Sequence, residues 1–357
     1  MGQMPIGVMY RCDTPPEQLP AYARLVERLG YDELWIVEDC FFGGAVSGAA
    51  VAAAVTDQLK IGIGILPAAF RNPALAAMEL ANLARLFPGR ILPGFGHGVP
   101  SWVRQIGADH PSPLAVLGET VAAVRALLAG EQVTVAGRHA RLHEVALEFP
   151  PEQPPLISTG VRAEKSLRLS GRVADGTILA EGSSPAYVRW ARGLIDEGRR
   201  EAGRTDDHRL TVYAHLDFDE GRASARREFA AQLTGGWALP PADAELADEI
   251  SAMLAASSGT EALAAALPEH YLDRFTAAGS AEQCATAVTR LREASADAVV
   301  FVPPRDAQSA VAQITLAAET LLPMVRAATA TADESTTPDP STTATTSTNA
   351  STTTTTR

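Results

Sequence analysis

The 357-residue chain carries a formal net charge of −12 and a sequence pI of about 5.1, which excludes a phosphate-tracking basic surface and with it nucleic acid as a partner. Cys12, Cys40 and Cys284 are odd in number and scattered, without a CxxC pair, so they fit a reducing compartment and exclude a disulfide framework. The opening MGQMPIGVMYRCD lacks a basic region followed by an apolar core, and the weakly apolar 43–55 stretch is too short to span a bilayer, so the expectation is a cytoplasmic protein that engages no membrane.

In chain order, PIGVMY (5–10) predicts a short apolar strand, and Leu19, Tyr22, Ala23, Val26 and Leu29 recur at helical spacing up to the Gly30 cap. ELWIV (33–37) predicts a second strand and residues 47–56 a small-residue helix. The stretch from Gln58 to Gly98 reads as a complete βαβ unit: a β-branched strand over 60–66, a helix opened by Pro73 and stopped by Pro88-Gly89, and a strand from Ile91 ending in Gly94, Gly96 and Gly98. Those three glycines predict room for something to lie against bare backbone. Residues 112–128 predict a helix, 132–151 a hairpin by their alternation, and 155–159, 176–180, 210–216 and 298–302 further strands, most of them followed by helix. Eight strands, each followed by helix, predict a single (β/α)8 TIM barrel over residues 1–327, with an unresolved acidic, Ala-rich insertion after Leu216 as a candidate lid. Residues 328–357, rich in Thr and Ser with no aliphatic larger than Ala, predict a disordered tail.

In such a barrel the chemistry sits where the strands end. Strand two ends in Glu38-Asp39, and because side chains alternate only one of the two faces inward; Glu38 is taken as that acid or base, against the alternative of a carboxylate that caps or pairs with a nearby Arg or Lys. His97, flanked by glycines, is expected to be uncovered and able to donate a proton or bond a ring heteroatom, against the alternative that it caps the helix near Ser101. No second His or Cys stands at ligand spacing, so no metal is assigned. Gly160-Val161-Arg162 before a helix carrying Lys165 predicts an anion site suited to phosphate, whereas Gly94-Phe95-Gly96-His97-Gly98 lacks the dinucleotide-fold spacing. Gly64-Ile65-Leu66 and Ala180-Glu181 complete the set of strand ends.

The strings GYDELWIVEDCFFGG, KIGIGILPAAFRNPALAAMELANLARLFPGR, GFGHGVPSWVRQIG and GVRAEKSLRLSGRVADGTILAE resemble the bacterial luciferase-like superfamily of flavin- and deazaflavin-dependent oxidoreductases, a likeness that runs from Met4 to about Ala327. The resemblance implies a TIM barrel that binds FMN or coenzyme F420, acts on a small-molecule substrate and is a homodimer. It implies a non-prolyl cis peptide at Gly64-Ile65 against the flavin ring, and cofactor contacts from Asp39, Leu66, Gly96, His97, Ala180 and Glu181. The phosphate would go to Gly160, Val161, Arg162 and the Lys165 helix start. The family's usual Asp-His after strand two is Glu38-Asp39 here, which leaves His97 as the replacement. Two chemistries follow from the resemblance: hydride transfer from reduced F420 to an unsaturated substrate, with Glu38 or His97 as proton donor, or FMN-dependent monooxygenation served by a separate flavin or F420 reductase. A non-catalytic flavin-binding barrel is the third reading.

Overall fold

The computed structural model describes residues 3–219 and 221–334. Its strands are β1 (Ile6–Tyr10), β2 (Glu33–Ile36), β3 (Lys60–Pro67), β4 (Ile91–Gly96), β5 (Val133–Ala136), β6 (Arg141–Val145), β7 (Ser158–Gly160), β8 (Gly176–Leu179), β9 (Arg209–Asp217), β10 (Ala277–Ala278) and β11 (Ala298–Val302). Eight of them pair in parallel in the closed order β1-β2-β3-β4-β7-β8-β9-β11, which is a (β/α)8 TIM barrel. β5 and β6 form the antiparallel hairpin read from the alternation, and β10 lengthens the sheet beside the end of β9.

The strands hold their two faces apart by composition. On β2, Leu34 and Ile36 join the large core between barrel and helices, whereas Trp35 and Val37 point into the barrel beside Met9, Ile178, Tyr213, Val300 and Val302. The floor is polar: fully buried Glu33 accepts from Trp35 Nε1 at 2.8 Å and from Arg209 Nη2 at 2.5 Å. A buried charge of this kind is tolerable only when paired. β3 shifts register against β4 between Ile63 and Leu66, and the Gly64-Ile65 peptide is cis, as is Cys40-Phe41. Gly64 is required where it stands, because a Cβ there would lie 2.0 Å from Tyr213 Oη.

The stretch after β9 that the sequence left unresolved is helical, with helices Ala223–Thr234, Ala247–Ala256, Thr260–Ala266 and Glu269–Phe275. These helices enclose a separate core of Phe229, Leu233, Ile250, Leu263, Tyr271 and Phe275, in which the Phe229 and Phe275 rings stack at 5.0 Å. The insertion is tied to the barrel by Asp243, fully buried, which accepts from Ser184 Oγ at 2.8 Å and from Arg274 Nε at 2.8 Å. Ser184 is also the N-cap of helix Pro185–Glu201, so one hydroxyl serves both units. The last helix runs over Ala307–Glu334 and takes in the first residues read as tail; the rest of that tail lies outside the described residues. No helix among the described residues is long and apolar enough to cross a membrane.

Candidate active site

The carboxylate that faces the barrel mouth is Asp39, which corrects the expectation for Glu38. With Trp35 and Val37 pointing inward, alternation places Asp39 inward and Glu38 outward. Glu38 is buried and fully engaged: Arg71 grips it through Nη1 at 2.5 Å and Nη2 at 2.8 Å, and the Ala45 N–H donates to its Oε2 at 3.0 Å. It therefore caps helix Ala45–Ala54 and anchors the loop beside Asp39, the alternative role raised for it above. Asp39 Oδ2 accepts from Cys12 Sγ at 3.4 Å. Burial raises its carboxyl above the usual range; Glu181 and Asp13 push the same way while the Cys12 contact opposes them. The Cys12 thiol is itself pushed up to about 12, first by burial and then by Asp39, so it stays protonated and donates.

The glycine floor is filled from within the protein. A Cβ on Gly96 would come 2.8 Å from Ile65 Cδ1, and one on Gly160 would come 2.6 Å from Ile65 Cγ2. The bare backbone of β4 and β7 thus makes way for the half-buried Ile65 side chain, rather than leaving room for a ligand as the glycines alone suggested. Leu66 is buried in the outer core.

His97 is not uncovered. It is half-buried, its Nε2 lies 3.0 Å from Ser166 Oγ, and its Nδ1 is buried towards the Pro113 backbone without a well-formed hydrogen bond. Burial lowers its pKa, so it is a neutral imidazole at pH 7. It binds the β4 loop to helix Glu164–Val173 and does not cap the helix near Ser101. Beside it opens a cavity of about 280 Å³ lined by Ala68, Gly96, His97, Val103, His110 and Pro113.

At the predicted anion site, the Val161 N–H is engaged by the Ile178 carbonyl at 3.4 Å, Lys165 is exposed, and no side chain caps the N-terminus of helix Glu164–Val173. Arg162 is half-buried with Nη2 unpartnered, its guanidinium 5.1 Å from the Trp237 ring, and its carbonyl accepts from Tyr187 Oη at 2.8 Å. Ala180 contributes its carbonyl to Ser183 Oγ at 2.6 Å, whereas the charge of Glu181 is felt by Asp39, Arg162, Tyr213 and His215 alike. The structure thus brings Asp39, Arg162 and Glu181 to one electrostatic neighbourhood, with His97 and Ile65 on the β3–β4–β7 side.

Sequence reasoning missed Tyr213 and His215, both buried with Tyr213 Oη and His215 Nε2 unpartnered. The signal was present in β9, where Thr211, Tyr213, His215 and Asp217 alternate with Leu210, Val212, Ala214 and Leu216: polar residues towards the barrel interior, apolar ones towards the helices.

The family model described as luciferase-like monooxygenase matches residues 4–298. The chain is 26% identical over 311 residues to a 5,10-methylenetetrahydromethanopterin reductase of Methanolobus tindarius, covering 84% of this chain and 94% of that one. It is 27% identical over 327 residues to an F420-dependent glucose-6-phosphate dehydrogenase of Beutenbergia cavernae, covering 87% and 94%. Among solved structures, the coenzyme F420 dependent tetrahydromethanopterin reductase from Methanopyrus kandleri superposes with a TM-score of 0.77 at 20% identity, over 90% of this chain and 99% of that one, a likeness of fold.

Proposed function

This chain belongs to the luciferase-like monooxygenase family, and from that premise we propose that it is an oxidoreductase using reduced coenzyme F420 to reduce an unsaturated small molecule. The observation that carries the reading is Asp39: an inward-facing carboxyl at the barrel mouth, held towards its protonated form by burial and by Glu181. Relatives named for F420 dependence, matched over most of their length, support the choice of cofactor.

The residues present fit such a cofactor. Arg162 Nη2 and the uncapped start of helix Glu164–Val173 offer donors to a phosphate, and the neutral His97 offers a ring nitrogen to a heteroatom, its Nε2 shared with Ser166. Ile65, braced by Gly96 and Gly160, presents a rigid apolar surface to a flat ring. When bound, the cofactor supplies the hydride. Asp39 is the group that gives the proton the substrate atom next to the reduced centre needs; burial first, then Glu181 and Asp13, favour its protonated form. Glu38, clamped by Arg71, fixes the loop that aims Asp39 and takes no part in the proton transfer. Leu75, Met78 and Leu86, all more than half exposed on one face of helix Pro73–Leu86, support a homodimer, which the molar mass in solution by light scattering checks.

The deciding experiment is titration of the purified protein with F420 and FMN in both redox states, followed by fluorescence. Tight F420 binding and anaerobic turnover of an unsaturated substrate are expected. FMN affinity without F420 affinity overturns the hydride reading in favour of oxygen-dependent monooxygenation served by a separate flavin reductase.

A further inference from the structure

Arg162, Gln232 and Trp237 meet at the junction of barrel and insertion. The Arg162 guanidinium lies 5.1 Å from the Trp237 ring, and a Cβ on Gly182 would come 3.0 Å from Gln232 Oε1 and 3.5 Å from Trp237 Cζ2. Gly182 takes φ +78, so this close approach is built into the backbone after β8. Three polar atoms of the group, Arg162 Nη2, Gln232 Oε1 and Trp237 Nε1, are buried without a hydrogen-bond partner, and no ion pair holds Arg162 among the described residues. Buried polar atoms are normally satisfied, so orphans gathered on one junction mark a place where a ligand supplies the partners.

The indole face fixes the plane of the guanidinium; Tyr187 and Glu181 lie against it, and Nη2 is the nitrogen left without a partner. Tyr187, through its hydroxyl to the Arg162 carbonyl, fixes the main chain beneath it. The indole N–H adds a second donor from the insertion. Glu181 faces the same arginine, so a ligand anion must be strong enough to share Arg162 with that carboxylate, which favours a phosphate over a neutral oxygen.

We propose that Trp237 and Gln232 are cofactor-binding residues: the insertion closes on the cofactor's phosphate, with Trp237 clamping Arg162 and adding its own N–H, while Gln232 meets a hydroxyl beside the phosphate. The proposal rests on the cofactor reading given above. The cofactor is then held between two units, the ring by the barrel and the phosphate by barrel and insertion together.

The test compares each phosphate-bearing cofactor with its phosphate-free core: F420 against its deazaflavin core, and FMN against riboflavin, by fluorescence titration of the full chain. Trp237→Phe keeps the ring that packs on Phe229 and Phe275 at 5.9 Å but removes the indole N–H. For whichever cofactor the wild type binds, this variant is expected to raise Kd by about tenfold or more, the size of one hydrogen bond to a charged group, with the phosphate-free core unaffected. Gln232→Leu, in the last turn of helix Ala223–Thr234, is expected to act in the same direction. An equal loss for cofactor and core, or no loss in either variant while melting temperature is unchanged, overturns the proposal. A wild type that binds none of the four compounds overturns the functional reading itself and the proposal with it.

Discussion

The barrel and its insertion are held together by different physics. The barrel closes through eight parallel strands whose outer residues share one large apolar core with the helices. The insertion buries its own aromatic cluster and meets the barrel largely through polar groups: Asp243 on Ser184, and Glu228 on Arg305 and Arg11. Apolar burial is non-directional and cooperative, so the barrel mouth stays rigid around Asp39. Directional polar ties can be exchanged for water at small net cost, so the insertion can loosen without the barrel unfolding. Chemistry belongs on the first kind of scaffold and closure on the second.

The largest expected effect breaks the chemical half alone. Asp39→Asn removes the proton and should lower kcat by about 10²–10⁴-fold, leaving cofactor Kd unchanged. Because the Asp39 carboxyl is raised and acts protonated, wild-type kcat should fall as pH rises through that raised value, and the limb should vanish in the variant. A variant that keeps wild-type kcat would remove Asp39 from the reaction.

Next come two changes that strike the units separately. Asp243→Ala leaves Arg274 and Ser184 without their buried partner, a loss of about 3–5 kcal/mol for breaking a buried pair, and should expose the 223–275 region to limited proteolysis before the barrel. Uniform cleavage across the chain would mean the two units are not separable. Gly64→Val places a Cβ 2.0 Å from Tyr213 Oη, an overpacking cost of about 1–3 kcal/mol. It should lower the melting temperature of the barrel, and an unchanged melt would show that Tyr213 can move aside.

The same contrast explains what could be read from the sequence. The strands and helices of the barrel were legible because each carries one strong period, and the (β/α)8 order followed from counting them. The insertion was not, because its four helices are only 7 to 12 residues long, so pairs such as Phe229 and Leu233 or Tyr271 and Phe275 give a single turn of period each, and the aromatic packing joins helices far apart in sequence. At the site, the rule of alternation was right and its phase was wrong: Trp35 must lie inside, against Gly62, where a Cβ would stand 2.2 Å from its ring, and that sets Asp39 inward. The covering of the glycines by Ile65 and of His97 by Ser166 depends on neighbours from other strands and helices, which no local pattern reveals.

The smallest effect probes the polar tie at its most exposed point. Arg305 bridges Glu228 of the insertion, Nε to Oε1 at 2.9 Å, and Asp13 after β1, Nη1 to Oδ2 at 2.7 Å, while Arg11 lies 3.8 Å from the other oxygen of Glu228. Arg305 is well exposed, so water and salt screen most of its attraction, and Arg305→Ala should cost only about 0–1 kcal/mol. Its signature is where the loss appears. Proteolysis of the insertion should speed up at low ionic strength, the difference from wild type should shrink as salt is added and the Debye length falls towards 3 Å, and the melting of the barrel should not move. A shift in barrel melting that salt does not reduce would show that the arginine packs through its aliphatic stem, and that the junction is held by burial after all.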